Sequence, residues 1–145
     1  LELLQLWTGT INIEIKDGSI LYPNIEKEVV NIIEKFKLED RIIVSSFNHY
    51  SLVEVKKLNP RIKTGILYLA GLYEPWEYAK RLDAYAIHPS LYNVVPEIVN
   101  GCIKNGIAIN PYTIDEPEMI KKVASLGVDG IITNVPDIAL KVLKE

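Results

Sequence analysis

The sequence has little of what marks a secreted, nucleic-acid-binding or membrane protein. It contains one cysteine, Cys102, which excludes an intrachain disulfide, so we expect a reducing compartment and a cytoplasmic location. Against 19 acidic residues it has 16 basic ones, and the net charge of −3 provides no field that would favour nucleic acid as a partner. No apolar run approaches the roughly 20 residues of a membrane-spanning helix, so we expect no membrane span.

The composition is that of a globular domain with its own core, since 48% of the residues are hydrophobic and 24% are charged. No linker, low-complexity segment or shift in composition divides the chain, so we expect one domain. Residues 1–6 read as LELLQL, which resembles the end of a helix already under way. We therefore expect a chain cut from a longer protein.

Short β-branched runs alternate with longer amphipathic runs, at the spacing of βα units. The predicted strands are Ile11–Ile15, Arg41–Ser46, Thr64–Leu69, Ala84–His88, Ile107–Ile109 and Gly130–Thr133. The predicted helices are Asn24–Phe36, Tyr50–Leu58, Pro75–Arg81, Val94–Asn105, Pro117–Ser125 and Pro136–Leu143. Asp115 and Asn134 are predicted helix caps, and Gly106 and Gly127 are predicted left-handed residues after helices.

Six βα units fit an α/β fold, either an open doubly wound sheet or most of a (β/α)8 TIM barrel. An open sheet normally has a glycine-rich first βα turn, and residues 16–23 (KDGSILYP) lack that pattern. Polar, aromatic or histidine residues lie at nearly every predicted strand end, where barrel enzymes place their chemistry. These residues are Glu14, Lys16, Ser45, Ser46, Phe47, Tyr68, His88, Tyr112, Thr113, Thr133 and Asn134. The pattern favours the barrel.

The first strand carries two opposite charges at its end. Alternation places its three isoleucines on one face and Asn12, Glu14 and Lys16 on the other. In a parallel barrel, helices cover the outside, so a carboxylate and an ammonium would project into the barrel mouth. Charges are costly there unless they bind something. The alternatives are a structural ion pair between Glu14 and Lys16, or two solvated charges on an edge strand.

Four motifs in this order carry a family resemblance: I-N-I-E-I-K, I-V-S-S-F, P-Y-T-I-D and G-V-D-G-I-I-T-N-V-P-D. The series resembles the glycerophosphodiester phosphodiesterase family of metal-dependent (β/α)8 barrels. Members hydrolyse glycerophosphodiesters to an alcohol and glycerol 3-phosphate. The resemblance implies that the six predicted strands are the third to the eighth of the barrel. It therefore implies one partial TIM-barrel domain over residues 1–145, with the N-terminal barrel segment missing.

Departures from the family pattern bear on activity. The sequence lacks the family's His-Arg-Gly motif, its Glu-x-Asp pair and its His-Asp motif, and with them both catalytic histidines and two of three metal carboxylates. The resemblance therefore implies that the isolated chain is inactive. Tyr112 stands where the family usually has tryptophan, and Asn134 replaces a usual aspartate.

The resemblance also implies roles for individual residues. Glu14 matches a carboxylate that binds the divalent metal ion, Mg²⁺ or Ca²⁺. Lys16 matches the lysine that binds the substrate phosphate and takes part in catalysis. Phe47, His88 and Tyr112 are candidate substrate-binding residues, and each has a structural alternative: Phe47 and Tyr112 as core residues, His88 as a hydrogen-bonded loop residue.

Two other functional classes stay open at this point. One is another phosphate-handling barrel, an isomerase or lyase, although the loops at 110–113 and 133–136 lack the glycines that such barrels use. The other is a non-catalytic partial barrel, whose first and last strands would pair with another segment or chain. The sequence leaves open the preferred head group, the identity of the metal and the oligomeric state, a homo-oligomer included.

Overall fold

The computed structural model describes residues 8–16 and 22–144, in two compact units that span residues 1–65 and 66–145. Five strands form one sheet in the order β1 (Ile11–Glu14), β2 (Ile42–Ser46), β3 (Lys63–Tyr68), β4 (Ala86–Pro89) and β5 (Ala108–Ile109). β1 pairs in parallel with β2, and β4 with β5. The predicted sequential order is confirmed for these strands, which show none of the order reversal of a doubly wound sheet.

In the described part of the chain one α-helix follows each strand and a sixth follows the fifth helix, and the helix ends agree with the predicted ones to within two residues. They are α1 (Ile25–Lys35), α2 (His49–Leu58), α3 (Pro75–Arg81), α4 (Pro96–Asn105), α5 (Pro117–Ala124) and α6 (Pro136–Val142). None of the helices in the described ranges is long and apolar enough to cross a membrane. The predicted helix end at residues 1–6 and the loop residues 17–21 lie outside the described residues.

The first unit is built on the β1–β2 pair. The register places Ile11 opposite Ile42 and Glu14 opposite Ser45. α2 contacts both β2 and α1, because its apolar side chains face the sheet. The core of this unit is aliphatic and includes Val30, Ile33, Val44, Leu52 and Val55.

The second unit contains a helix pair, α3 and α4, that contacts β4 and β5. Gly101 of α4 faces Trp76 of α3 so closely that a Cβ atom at this position would overlap the indole ring. A smaller aliphatic cluster, Ile114, Ile120, Val123 and Ala139, lies between α5 and α6. Side-chain size at these contacts therefore sets how closely the helices approach.

Gly130–Thr133 is not a strand, contrary to the prediction. The segment does follow β5, since the amide of Ile132 donates to the carbonyl of Pro111 at 2.9 Å. A regular ladder fails because the amide of Ile109 donates to the Asp129 carboxylate at 2.9 Å, and Pro111 has no amide hydrogen. Of the two donors that a sixth strand would use, one is thus engaged by Asp129 and the other does not exist.

Both predicted helix caps are wrong. The helices that follow Asp115 and Asn134 begin after the next residue in the chain, and neither has a side-chain cap. The two residues instead bond each other, with Asn134 Nδ2 donating to Asp115 Oδ2 at 2.9 Å. Gly106 and Gly127 do adopt the predicted left-handed conformation, with φ of 68° and 87°.

Candidate functional site

The polar face of β1 forms as the alternation predicts. Asn12, Glu14 and Lys16 are exposed, whereas Ile15 is buried against the core. Lys16 Nζ lies 3.2 Å from Glu14 Oε1, and the two side chains are 76% and 31% exposed. The ion pair that was the structural alternative therefore does form. An exposed pair of this kind contributes at most about 1 kcal/mol, so either charge can turn to a ligand at little cost.

The end of β2 contributes two buried serines and an exposed aromatic ring. Ser45 Oγ accepts a hydrogen bond from Asn12 Nδ2 at 2.9 Å. Ser46 Oγ donates to the carbonyl of Ile15 at 2.6 Å and accepts from the amide of Asn48. Phe47 follows them and is 45% exposed, so it does not belong to the core. The serines thus fix the β1–β2 ends, and Phe47 presents apolar surface beside them.

A cleft of about 400 Å³ lies beside β1. Its walls include the apolar side chains of Ile13, Ile15 and Tyr22 together with Glu14 and Lys16. The volume is within the range of small-molecule sites, which combine apolar walls with a few polar groups. The cleft therefore brings apolar residues together with the two charged residues Glu14 and Lys16.

Glu14 by itself does not form a metal centre. No group of three or more histidine, cysteine, aspartate or glutamate side chains in the described residues could hold a metal ion. Mg²⁺ and Ca²⁺ take about six or more oxygen ligands, so one carboxylate leaves most of the coordination shell to other groups. Glu14 fits the chemistry of one such ligand, and the described residues do not complete the set.

His88 lies at the end of β4 and is only 1% exposed. Its Nε2 is 3.2 Å from Asn110 Nδ2. Burial lowers the pKa of His88 from 6.5 to about 4, so the imidazole is neutral at physiological pH. The structure therefore places this predicted site residue beneath the surface, in contact with Asn110.

Tyr112 is half-buried just after β5, and hydrogen bonds of its hydroxyl and its backbone hold it. Its hydroxyl donates to the carbonyl of Tyr68 at 3.0 Å. Its backbone amide donates to the carbonyl of Pro89, and its carbonyl accepts from the amide of Leu91. Burial raises the pKa of Tyr68 above its ordinary value of 10.0. Because the Tyr112 hydroxyl is already engaged, the ring can serve as a fixed aromatic wall.

Comparison with known families settles which group of proteins shares this arrangement. A model of the glycerophosphoryl diester phosphodiesterase family matches residues 8–138. The chain belongs to this family. The matched range includes the β1 charges, the β2 serines and the β4–β5 ends.

Curated relatives and solved structures agree with the family match. A glycerophosphodiester phosphodiesterase from Caldanaerobacter subterraneus subsp. tengcongensis is 47% identical over 93% of this chain and 56% of that protein. One from Bacillus altitudinis is 39% identical over 99% of this chain and 61% of that protein. A crystal structure of the Parabacteroides distasonis enzyme superposes with a TM-score of 0.84 at 25% identity, covering 97% of this chain and 60% of that one. The chain thus spans little more than half the length of these relatives.

Two polar residues of this family member, Asn110 and Asp115, were not predicted as site residues. Asn110 contacts His88, and Asp115 organises the loop before α6. The Asp115 carboxylate accepts from Thr133 Oγ1 at 2.9 Å and from the backbone amide of Asn134 at 2.8 Å. The Asn134 amide is the main reason that the pKa of Asp115 lies below its ordinary value. Each lies in or beside a family motif, which is the signal that could have found them.

Proposed function

We propose that this protein takes part in the hydrolysis of glycerophosphodiesters to an alcohol and glycerol 3-phosphate. The observation that carries the proposal is the family match over residues 8–138, which includes the Glu14–Lys16 face. The relatives from Caldanaerobacter and Bacillus altitudinis are both named glycerophosphodiester phosphodiesterase, which supports it.

Lys16 is the proposed catalytic group in this chain. Its side chain is 76% exposed and the residue borders the cleft beside β1, so a phosphate can reach it. A flexible ammonium acts as a point charge toward a phosphate oxygen. As the P–O bond breaks, negative charge grows on the phosphoryl oxygens, and a positive charge beside them stabilises that state more than the ground state.

Glu14 is the proposed protein ligand of a divalent cation, Mg²⁺ or Ca²⁺. The carboxylate is one oxygen donor of the kind that both ions prefer. Because the described residues do not complete the coordination, the proposal requires further carboxylates from outside them.

Two aromatic residues are proposed to contact the substrate, each within its own unit. Phe47 is exposed just after β2, which pairs with the strand that ends at Glu14. Tyr112 is anchored to Tyr68 through its hydroxyl, so its ring is held in one orientation. Rigid aromatic rings supply contact area at low entropic cost.

The chain is further proposed to supply β1 to β5 as the third to the seventh strands of a (β/α)8 barrel, with Gly130–Thr133 in the place of the eighth, in a single domain over residues 1–145. The 56% and 61% coverage of the two relatives supports this proposal, since a full barrel takes about 250 residues. On this proposal the first two strands, with the family's histidines and two metal carboxylates, come from another segment. The isolated chain would then be inactive.

Release of glycerol 3-phosphate from glycerophosphocholine tests the proposal. The purified chain is compared with a chimera in which the N-terminal part of the Caldanaerobacter relative precedes it. We expect activity from the chimera alone, because general acid–base catalysis is typically worth about 10² to 10⁴ in rate. Activity of the isolated chain would overturn the partial-barrel proposal. An inactive, folded chimera would favour a non-catalytic module.

The alternative of a phosphate-handling isomerase or lyase finds no support in the family match. Such barrels commonly bind phosphate through glycine-bearing loops near the end of the barrel. Residues 110–113 and 133–136 contain no glycine, and the second loop is held by Asp115. The same chimera, offered a phosphorylated sugar in place of the phosphodiester, checks this alternative.

A further inference from the structure

The imidazole of His88 is buried in a way that packing alone does not explain. Nε2 faces Asn110, whereas Nδ1 is buried and has no hydrogen-bond partner among the described residues. Most buried polar atoms are hydrogen-bonded, because an unpaired one costs stability. An apolar side chain would avoid that cost. The histidine therefore points to a role for Nε2, the ring nitrogen that faces Asn110.

Asn110, the partner of that nitrogen, is held from three sides. Its backbone amide donates to the carbonyl of Ile87 at 3.0 Å, which ties the end of β5 to β4. Its side-chain nitrogen contacts His88, and its Oδ1 lies against Gly130, where an added Cβ would be 2.7 Å away. A side chain at position 130 would displace the amide, so glycine is what admits it.

The chemistry of the contact assigns the protons. An amide NH₂ group donates hydrogen bonds and does not accept them, so Nε2 of His88 must present its lone pair to Asn110. The ring proton is then on Nδ1. Burial favours this uncharged form, which is why the pKa of His88 falls to about 4.

We propose that His88 and Asn110 form a neutral positioning pair, in which His88 orients the Asn110 amide to bind a hydroxyl group of the substrate. Asn110 is the half-exposed member and lies two residues before Tyr112. After its bond to Nε2 the amide retains one N–H and a carbonyl oxygen, which complement a hydroxyl that both donates and accepts. The proposal deepens the proposed function, since glycerophosphodiesters carry such hydroxyls, and His88 becomes a positioning residue.

The tautomer can be measured without any enzyme assay. Two-bond proton–nitrogen correlation spectra of protein labelled with ¹⁵N-histidine, at neutral pH, distinguish protonated from unprotonated ring nitrogens. A His49→Gln variant assigns the His88 signals. We expect His88 to be protonated on Nδ1 alone, and Asn110→Ala to abolish that preference. An Nε2-protonated or charged His88 in the unaltered protein would overturn the pair.

The kinetic consequence is measured in the form of the protein that releases glycerol 3-phosphate. We expect His88→Phe and Asn110→Ala each to raise KM for glycerophosphoglycerol about tenfold, with kcat changed less than about twofold, because one hydrogen bond is lost in each. The double variant should be no worse than either single one. Asn105→Ala, which removes another partly buried asparagine of the same unit, should leave KM unchanged.

Additive losses in the double variant, or a loss in kcat alone, would contradict the pair. If every form of the protein is inactive, the proposed function fails while the spectra still decide the tautomer. A folded, active protein with the expected tautomer and unchanged KM in Asn110→Ala would reduce the pair to a structural contact and refute its substrate role.

Discussion

The carboxylate of Asp129 accepts a hydrogen bond from the backbone amide of Ile109 at 2.9 Å. Ile109 is fully buried at the end of β5, and its carbonyl in turn accepts from the amide of Asp129 at 3.0 Å. The two residues thus exchange one side-chain and one backbone bond where a sixth strand would pair. A buried donor is satisfied in this way without a regular ladder.

Replacement of Asp129 should therefore destabilise the second unit. Asp129→Ala leaves the buried Ile109 amide without its acceptor, and we expect the free energy of unfolding to fall by about 1 to 3 kcal/mol. Asp129→Asn keeps an oxygen in the same place and should lose less. Urea denaturation measures both, with the exposed Asp40→Ala as a control that should change stability by less than about 0.5 kcal/mol. Equal losses in the Ala and Asn variants would show that charge, and not the acceptor, matters.

The contact between Ile109 and Asp129 also shows which part of the fold could not be predicted from the sequence. β1 to β5 were predictable because β-branched runs between turn signals depend on local pattern. The Gly130–Thr133 run has the same local pattern, yet Asp129 engages the amide of Ile109 and Pro111 has no amide hydrogen. The proline is visible in the sequence, whereas the bond between Ile109 and Asp129 depends on the three-dimensional neighbour. The pairing of two strands is thus harder to predict from the sequence than the position of an extended segment.

The candidate site, too, was predictable only in part. Alternation predicts that Glu14 and Lys16 lie on the face opposite the isoleucines, and the structure places both at the surface and Ile15 in the core. The partner of His88 is 22 residues away along the chain, and the Asp115–Asn134 contact spans 19. No local period encodes either pair. The face on which the charged residues lie was therefore predictable, whereas the partners of His88 and Asp115 were not.

Gly101→Ala should destabilise the protein although alanine favours helices. Within a helix, alanine is normally better than glycine by about 1 kcal/mol. Here the new Cβ would overlap the Trp76 ring, so we expect a net loss of about 1 to 3 kcal/mol in unfolding free energy. Gly71→Ala, in the loop before α3, is the control for an added Cβ without overlap, since the nearest atom would be Asn93 Oδ1 at 3.7 Å. Combination with Trp76→Leu should recover part of the loss, and strict additivity would argue against the contact.

His88 should make stability fall as the solution becomes acidic. Burial lowers its pKa in the folded protein from 6.5 to about 4, so in that window the unfolded chain binds a proton that the folded protein does not. Stability is therefore lost as pH falls through this window, by about 3 kcal/mol in total. Urea denaturation between about pH 7 and pH 4 should show a weaker dependence in His88→Gln than in His49→Gln. The same slope in both variants would place the titration elsewhere.

Glu14 and Lys16 should respond differently to added metal, although their side chains lie 3.2 Å apart. In the active form of the protein, Glu14→Gln removes a proposed metal ligand, so part of the lost activity should return at high Mg²⁺ or Ca²⁺. Lys16→Met should leave metal affinity nearly intact and lower kcat/KM in a way that no added metal repairs, because a contact to the charge that grows on the phosphate is gone. Metal titrations of initial rates separate the two.

Another exposed ion pair of the first unit provides the control for these variants. Lys57 Nζ lies 3.3 Å from Glu54 Oε2 on α2, with side chains 69% and 48% exposed. Glu54→Gln and Lys57→Met remove the same charges and should leave both rate and metal dependence unchanged, which excludes a general effect of net charge. If Glu14→Gln and Lys16→Met shared one metal dependence, the two residues would act as a single unit. The assignment of metal to one and phosphate to the other would then be wrong.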